Sequence, residues 1–437
     1  MNNKKWMAIL LGGIMAASLA APCSVSAAEK TTLTFWHAMG GTNGEVLQQI
    51  VDDFNASQDE IEIKAEYQGT YDDTITKLKA ALQSDSGLPD VCQMYDVGTK
   101  FMYDSGAVIP VEDKFESTGY DKSSVMEVIS SYYTVDGKQY AMPFNVSTPM
   151  LYYNKDVFEA AGLDPETPPT TYDEVLEDAK KIVESGAAPV GYSQAIYGWF
   201  FEQQLAGLGV TYGNNDNGRK EAVTAVDFDS NGGGLKVFDM WKKLYDSGYF
   251  EDYGTTTADT QTAFFSGQVG MIIESTAILK NAVDSSPFEV GTGYLPRIEQ
   301  NDEGGVIIGG GSLWLTDTGN EANEDAAWKF IEYITTPDVQ AKWSMGTGYF
   351  AINEKAYETE DMKAYLKENP NFETAINQLK DSPVNCNTAG VLSGVQTEAR
   401  LTFNEIMPQV YDGKLTTQDA VDQLAASVNT AIENYNE

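Results

Sequence analysis

Aromatic side chains that carry a polar group recur beside turn residues in this 437-residue chain. Trp36, Tyr197, Trp199 and Tyr349 are examples, and the glycine run at 309–311 allows a backbone to approach another molecule closely. An aromatic ring with a hydrogen-bonding atom suits small polar ligands. The sequence therefore favours a binding cleft, although part of this aromatic set is expected to lie in a core.

Catalytic motifs are weak. The segment GYSQA at 191–195 lacks the closing glycine of a hydrolase nucleophile elbow, and the glycines at 309–311 lack the Lys-Ser or Lys-Thr pair of a phosphate-binding loop. The single histidine, His37, excludes multi-histidine metal sites, and no zinc or calcium spacing is present. We expect no catalytic residue, no metal and no cofactor. An exported polysaccharide-cleaving enzyme stays as an alternative, since 65 acidic residues always permit a glycosidase pair.

Charge excludes other classes of function. The chain has 65 acidic and 28 basic residues, which give a formal net charge of −37. Such a surface repels nucleic-acid phosphates and disfavours docking on anionic lipid. We therefore expect no nucleic-acid partner. A phosphate ligand would require local groups that overcome the field of the whole protein.

Residues 1–28 are typical of a secretory signal peptide. Lys4 and Lys5 precede an apolar run at 7–21, and small residues follow near a cleavage site. Removal of this segment, which holds two lysines and no acidic residue, takes the net charge to −39. We expect an exported, periplasmic protein. The alternative is a lipid anchor through Cys23 at the outer face of the cytoplasmic membrane, which Pro22 disfavours because a lipoprotein signal has a small residue there.

Two cysteines remain after residue 28, Cys92 and Cys386. Two are too few for a disulfide framework. Cys92 lies in an apolar run, so we expect a buried free thiol there.

Strands alternate with helices along the rest of the chain. Period-two patterns predict strands at 31–36 and 61–67, and helical spacing predicts helices at 45–54 and 72–83. The same reasoning predicts later elements, namely strands at 90–95, 150–154 and 312–316 and helices at 171–185, 325–333 and 418–429. This order indicates an α/β fold with a mostly parallel sheet, and the length indicates two or three lobes.

Five segments, in order along the chain, resemble the extracellular solute-binding proteins that feed ABC importers. They are FWHAMG at 35–40, PFNVSTPMLYYNKD at 143–156, LDPETPPTTY at 163–172, IIGGGSLW at 307–314 and TGY at 347–349. Within this superfamily the chain is most similar to the branch that binds sn-glycerol 3-phosphate and glycerophosphodiesters.

The resemblance implies an α/β, two-lobed periplasmic-binding-protein fold of type II, with a ligand cleft between lobes joined by a multi-segment hinge. The first lobe would comprise 29–146 and 290–348, and the second 147–289 and 349–437. It further implies a monomer that closes around its ligand and is then recognised by ABC permease subunits in the membrane.

The resemblance also implies ligand contacts, carried over motif by motif. The predicted ligand-binding residues are His37, Tyr71, Asp96, Ser147, Trp199, Ser275, Gly310, Tyr349 and Arg400. Tyr349 and Arg400 match contacts on the phosphate side, and an arginine can donate a charge-assisted fork to phosphate. For Arg400 the alternative is a solvated helix charge beside Glu398, and for His37 it is a hydrogen-bonded strand end.

Two departures from the branch leave the ligand open. Asp96 stands where the branch has a glutamate that accepts from glycerol hydroxyls, and Ile196 stands where the branch has a tryptophan. The expected ligand is sn-glycerol 3-phosphate or a glycerophosphodiester, and the alternative is a neutral sugar or oligosaccharide in the same fold.

Overall fold

The structure is a computed structural model that describes residues 30–84 and 87–437. The predicted signal peptide at 1–28, including Cys23, lies outside the described residues. Within the described ranges, no helix combines the length and the apolar character that a bilayer-spanning segment needs.

Two large sheets and one small hairpin contain the strands of the described residues. Their bounds are β1 (Thr31–His37), β2 (Ile61–Tyr67), β3 (Val91–Tyr95), β4 (Val108–Ile109), β5 (Thr134–Val135), β6 (Lys138–Gln139), β7 (Met142–Ser147), β8 (Pro149–Asn154), β9 (Val190–Ser193), β10 (Val269–Ser275), β11 (Val290–Gly293) and β12 (Gly309–Thr316).

The first sheet is mixed. Its strand order is β2-β1-β3-β12-β4, and β7 also pairs with β12. Strand β1 runs parallel to β2 and β3, whereas β12 is antiparallel to β3, β4 and β7. The expectation of a mostly parallel sheet is therefore wrong. The helical crossovers that make strands parallel connect β1, β2 and β3 only, and β12 enters this sheet from the second lobe.

The second sheet has the order β11-β8-β10-β9. Strand β8 is antiparallel to both β10 and β11, while β10 and β9 are parallel. Strand β11 begins at Val290, where the sequence predicts the return to the first lobe, and the chain changes sheets only after this strand ends.

Helices cover these sheets. Their bounds are α1 (Gly41–Ser57), α2 (Tyr71–Ser84), α3 (Thr99–Asp104), α4 (Val111–Thr118), α5 (Glu127–Ser130), α6 (Lys155–Ala160), α7 (Tyr172–Ser185), α8 (Gly198–Gly207), α9 (Asn214–Gly218), α10 (Gly233–Asp246), α11 (Thr257–Phe265), α12 (Leu279–Ser285), α13 (Glu321–Ile334), α14 (Pro337–Thr347), α15 (Glu360–Glu368), α16 (Asn371–Asp381), α17 (Gln396–Tyr411) and α18 (Thr417–Asn436).

The buried apolar side chains form two large clusters, one around the first sheet that also includes residues of β8 and β10, and one within the second lobe. Every residue of β3, β7 and β8 is buried, because both faces of these strands are covered. Cys92 in β3 is a buried free thiol, as predicted, and burial raises its pKa to about 12.

Three segments join the lobes. Thr148 separates β7 from β8, residues 294–308 connect β11 to β12, and Phe350 pairs with Val146 after α14. At the first crossing, Thr148 accepts a hydrogen bond from the Thr276 amide at 2.8 Å, and its own amide donates to Thr276 Oγ1 at 3.1 Å. These bonds connect the crossing to the end of β10, which carries a predicted ligand residue.

Candidate ligand-binding cleft

The predicted site residues occupy the ends of elements that face the gap between the sheets. In the first lobe, Tyr71 begins α2, Asp96 follows β3 and Gly310 lies at the start of β12. Ser147, which ends β7, and Tyr349, which follows α14, lie at the crossings between the lobes. A position at the carboxyl end of a strand or the start of a helix is where α/β sheets bind ligands. In the second lobe, Trp199 is the second residue of α8, Ser275 ends β10 and Arg400 lies in α17.

Arg400 bridges the two lobes. Its Nε donates to Glu202 Oε1 at 2.8 Å, and its Nη2 donates to Glu202 Oε2 at 2.7 Å and to Asp96 Oδ2 at 2.8 Å. The residue is only 8% exposed, so the alternative of a solvated helix charge is wrong. Its Nη1 makes no hydrogen bond to any described residue, which leaves one edge of the guanidinium for a ligand.

The two carboxylates keep this buried arginine charged. Burial lowers the pKa of Arg400, but Asp96 and Glu202 outweigh burial and raise the pKa well above its ordinary value. Burial raises the pKa of Glu202, and Arg400 and Gln396 oppose that shift. Because Glu202 receives all three of its hydrogen bonds from N–H donors, the ionised form is the one that the site holds.

A chain of buried amides leads to Tyr71. Its hydroxyl accepts from Asn145 Nδ2 at 2.6 Å, Asn145 Oδ1 accepts from Gln93 Nε2 at 2.6 Å, and Gln93 Oε1 accepts from the Ala38 amide at 2.8 Å. The Tyr71 ring stacks on Tyr95 with the centroids 5.3 Å apart. This network fixes the Tyr71 ring at one wall of the cleft.

Tyr349 completes that wall. Its ring stacks on Trp343 with 5.6 Å between centroids, and its side chain interacts with Tyr71 and Asn145. Burial raises the pKa of both Tyr71 and Tyr349, so both hydroxyls stay protonated at neutral pH. Because the two hydroxyls are hydrogen-bonded to each other, one proton is used between them and the other can be donated to an oxygen of a ligand.

The glycine run brings the lobes close together. Gly310 has φ +91°, and a Cβ there would lie 1.8 Å from the Asn145 carbonyl oxygen. A Cβ on Gly309 would lie 2.7 Å from the Trp199 ring. Packing therefore requires glycine at both positions. Trp199 is 5% exposed, and its Nε1 is buried without a partner among the described residues.

Ser147, Ser275 and His37 are less tightly connected to this group. The backbone of Ser147 pairs with Gly309, and Ser275 Oγ accepts from the Ala277 amide at 3.1 Å. The described ring contacts of His37 are with Phe35 and Tyr67, and its Nδ1 accepts from the Met39 amide at 3.3 Å.

Burial lowers the pKa of His37 to about 4, so its ring is neutral at physiological pH. The contacts of this side chain are those of a strand-end residue, which is the alternative that the sequence left open.

Sequence reasoning missed Glu202, the second carboxylate partner of Arg400. Glu202 lies in α8, where every residue from Gly198 to Ala206 is buried. A carboxylate in a helix with aromatic or amide residues on every side was the one available signal, since such a group requires a buried partner. Gln396, Tyr95 and Thr397 were also missed, and Tyr95 Oη and Thr397 Oγ1 meet across the cleft at 2.5 Å.

A second concavity lies beside the segment between β11 and β12. This groove of about 540 Å³ is lined by Pro168, Tyr294, Arg297 and Asp381 among others, and it contains none of the predicted ligand residues. The ion pairs with both partners buried, Arg400–Asp96 and Arg400–Glu202, lie instead in the gap between the lobes, which favours that gap as the ligand site.

The profile of a family described as "Bacterial extracellular solute-binding protein" matches residues 49–374 of this chain. This chain belongs to that family. A relative named sn-glycerol-3-phosphate-binding periplasmic protein UgpB, from Escherichia coli (strain K12), is 31% identical over 93% of this chain and 92% of its own length. A protein of the same name from Brucella abortus (strain 2308) is 32% identical over 97% of this chain and 98% of its own length.

Solved structures of solute-binding proteins share the fold. The cyclic alpha-maltosyl-1,6-maltose binding protein from Arthrobacter globiformis superposes with a TM-score of 0.77 at 25% identity, over 93% of this chain and 100% of its own. UgpB from Mycobacterium tuberculosis in complex with glycerophosphocholine gives 0.79 at 20% identity, over 93% and 99%. The two-lobed periplasmic-binding-protein fold is confirmed, and the family and these relatives are binding proteins rather than enzymes.

Proposed function

We propose that this solute-binding protein captures sn-glycerol 3-phosphate or a glycerophosphodiester and delivers it to a membrane permease of an ABC uptake system. The observation that carries the proposal is the buried guanidinium of Arg400, which lies between the lobes with Nη1 unpaired among the described residues. Relatives at 31–32% identity that bear the name sn-glycerol-3-phosphate-binding protein support this ligand class.

The ligand lies with its phosphate towards Arg400 and the hydroxyls of Tyr71 and Tyr349. A guanidinium edge and neutral hydroxyls are the donors that phosphate oxygens require. Asp96 uses only Oδ2 towards Arg400, so Oδ1 accepts from a glycerol hydroxyl. Trp199 supplies an apolar face and an unpaired Nε1–H donor.

The lobes close over the ligand as two rigid bodies. The first comprises 29–146 with 290–348 and the second 147–289 with 349–437, except that β11 (Val290–Gly293) moves with the second body because it pairs with β8. The bonds that cross the cleft, Arg400–Asp96 and Tyr95–Thr397, belong to the closed arrangement. The protein acts as an exported monomer in the periplasm and presents this closed form to the permease.

A thermal-shift panel on the mature chain, followed by titration calorimetry, tests the proposal. The panel holds sn-glycerol 3-phosphate, glycerophosphocholine, glycerol, inorganic phosphate, maltose and short oligosaccharides. A ligand of the native state raises the melting temperature by mass action. We expect a shift with the phosphate esters and none with maltose.

A neutral sugar or oligosaccharide is the second candidate. The observation that favours it is the neutralisation of Arg400 by two carboxylates, and the 25%-identical maltosyl-maltose binding protein adds support. A shift with sugars alone would select it. Turnover of a labelled glycan would instead select the enzyme alternative.

A further inference from the structure

We infer that Glu202 is a positioning residue that limits the charge of the ligand, so that the cleft prefers a singly charged phosphodiester to a doubly charged phosphate monoester. This inference rests on the proposed function, because it concerns which phosphate ester the Arg400 site accepts. The juxtaposition that carries it is one guanidinium between two buried carboxylates from different lobes.

Glu202 holds the guanidinium as a fork. Both of its oxygens accept from Arg400, and Gln396 Nε2 donates to Oε1 at 2.7 Å, so the carboxylate cannot turn away without losing three hydrogen bonds. Its side chain is 6% exposed. The bidentate pair therefore orients Nη1 and also removes the positive charge that a ligand would meet.

The net charge of the groups around Arg400 disfavours a doubly charged ligand. Asp96 and Glu202 contribute two negative charges and Arg400 one positive charge, and neither carboxylate has a lysine partner among the described residues. Charges this deeply buried are weakly screened by salt. Each further negative charge on the ligand thus meets a site that is already negative by one.

Phosphate esters differ in charge near neutral pH. A monoester has a second ionisation near pH 6 and is mostly doubly charged at about pH 7.5. A diester has no second proton and carries one negative charge on its phosphate. Asp96 keeps its charge when it exchanges its contact with Arg400 for a glycerol hydroxyl, so the site remains negative by one and accepts one phosphate charge more readily than two.

The other titratable groups that face Arg400 do not change the net charge of the site. The neighbouring titratable side chains are Tyr95, Tyr132, Tyr197 and Tyr212, and burial raises the pKa of each, to about 12 for Tyr197. All four are neutral at about pH 7.5. Glu274, the next buried acid, is satisfied by Gln261 Nε2 and the Ser275 amide, and burial raises its pKa.

Glu202→Gln tests the inference, with Glu398→Gln as the matched control. Glu398 is an exposed carboxylate on the same helix as Arg400, so the control removes one negative charge without touching the fork. The probes are sn-glycerol 3-phosphate and glycerophosphoglycerol, two esters that differ in phosphate charge and carry no cation. Their dissociation constants are measured by calorimetry at about pH 7.5.

We expect the native protein and Glu398→Gln to bind the diester more tightly, and Glu202→Gln to shift the ratio of the two dissociation constants towards the monoester by about tenfold or more. If Glu202 has only a structural role, Glu202→Gln weakens the binding of both esters equally. An unchanged ratio of the two dissociation constants would therefore overturn the inference. If neither ester binds the native protein and a sugar does, the proposed function fails instead.

A second measurement covers the case in which Glu202→Gln does not fold. The native protein is titrated with both esters at about pH 5 and pH 7.5. Because the monoester loses its second charge between these values, its affinity relative to the diester should rise at least about fivefold at the lower pH. If the ratio of the two dissociation constants does not change with pH, the inference that the site prefers a singly charged ester is overturned.

Discussion

Arg400 and Arg219 are both partly or fully buried and both connect the lobes, but their surroundings differ. Arg400 is paired with the carboxylates of Asp96 and Glu202. Arg219 forms no ion pair among the described residues and donates to three backbone carbonyl groups, one of them on Tyr132 at 2.8 Å. Its guanidinium also lies 5.2 Å from the centre of the Tyr132 ring.

The pKa values follow this difference. The carboxylates raise the pKa of Arg400, whereas burial lowers the pKa of Arg219 to about 10. Side-chain carboxylates can exchange a guanidinium for a ligand, because they move by rotamer changes. The backbone carbonyls that hold Arg219 can release it only if the chain itself moves. The comparison therefore separates the ligand site that we propose from a fixed structural contact.

The largest effect is expected from Arg400→Ala. Loss of a charged contact in a closed cleft costs about 2–5 kcal/mol, so the dissociation constant for phosphate esters should rise at least about thirtyfold. Calorimetry measures it, and circular dichroism checks that the chain stays folded. Unchanged ester binding by the folded variant would remove Arg400 from the site and with it the contrast to Arg219.

Arg219→Met should lower the stability of the fold and leave ligand preference unchanged, which is the reverse of the result expected for Arg400→Ala. Three carbonyl groups lose a charged donor, which lowers the free energy of unfolding by about 1.5–3 kcal/mol. The order of ligand preference should be unchanged, because Arg219 contacts none of the predicted ligand residues. Urea unfolding measures the first quantity and the thermal-shift panel the second. A changed ligand order would mean that both arginines act in binding.

Asp96→Asn should loosen the closed form without ligand. The Asp96–Arg400 ion pair crosses the cleft, whereas Glu202 and Arg400 both belong to the second lobe. We expect a small increase in the radius of gyration, measured by X-ray scattering on the unliganded protein. Glu45→Gln, an exposed acid in the first lobe, is the control and should leave the radius as it is.

The smallest effect concerns His37, a third buried base and, like Arg219, one without a carboxylate partner. Burial lowers its pKa from 6.5 to about 4. The unfolded state then binds a proton first, so stability should fall as the pH drops from about 6.5 towards 4. Because the chain has a single histidine, proton NMR gives one titration curve. A titration midpoint near pH 6.5 would contradict the prediction, because it would show that burial does not lower the pKa of His37.

Local patterns predicted the elements closely. The alternation at 61–67 gives the bounds of β2, and the predicted helix at 72–83 lies within α2. The apolar stripe at Leu47, Ile50, Val51 and Phe54 is the buried face of α1. These agreements arise because side-chain periodicity reports directly which face of one element is buried.

The family resemblance implied both Asp96 and Arg400 as ligand residues, and the structure pairs them with each other. It did not name Glu202, and it described Arg400 as a free donor to phosphate.

The amino-acid sequence by itself determined the strands and helices, the acidic surface and the membership in a binding-protein family, because these depend on residue type and short spacing. Only the tertiary structure decided the antiparallel entry of β12 and the pairing of Arg400 with partners 198 and 304 positions away. Contacts at such separation leave no local periodicity. The Asp96 contact joins the two lobes and the Glu202 contact joins α8 to α17 within the second lobe, and both exist because a buried charge requires a partner.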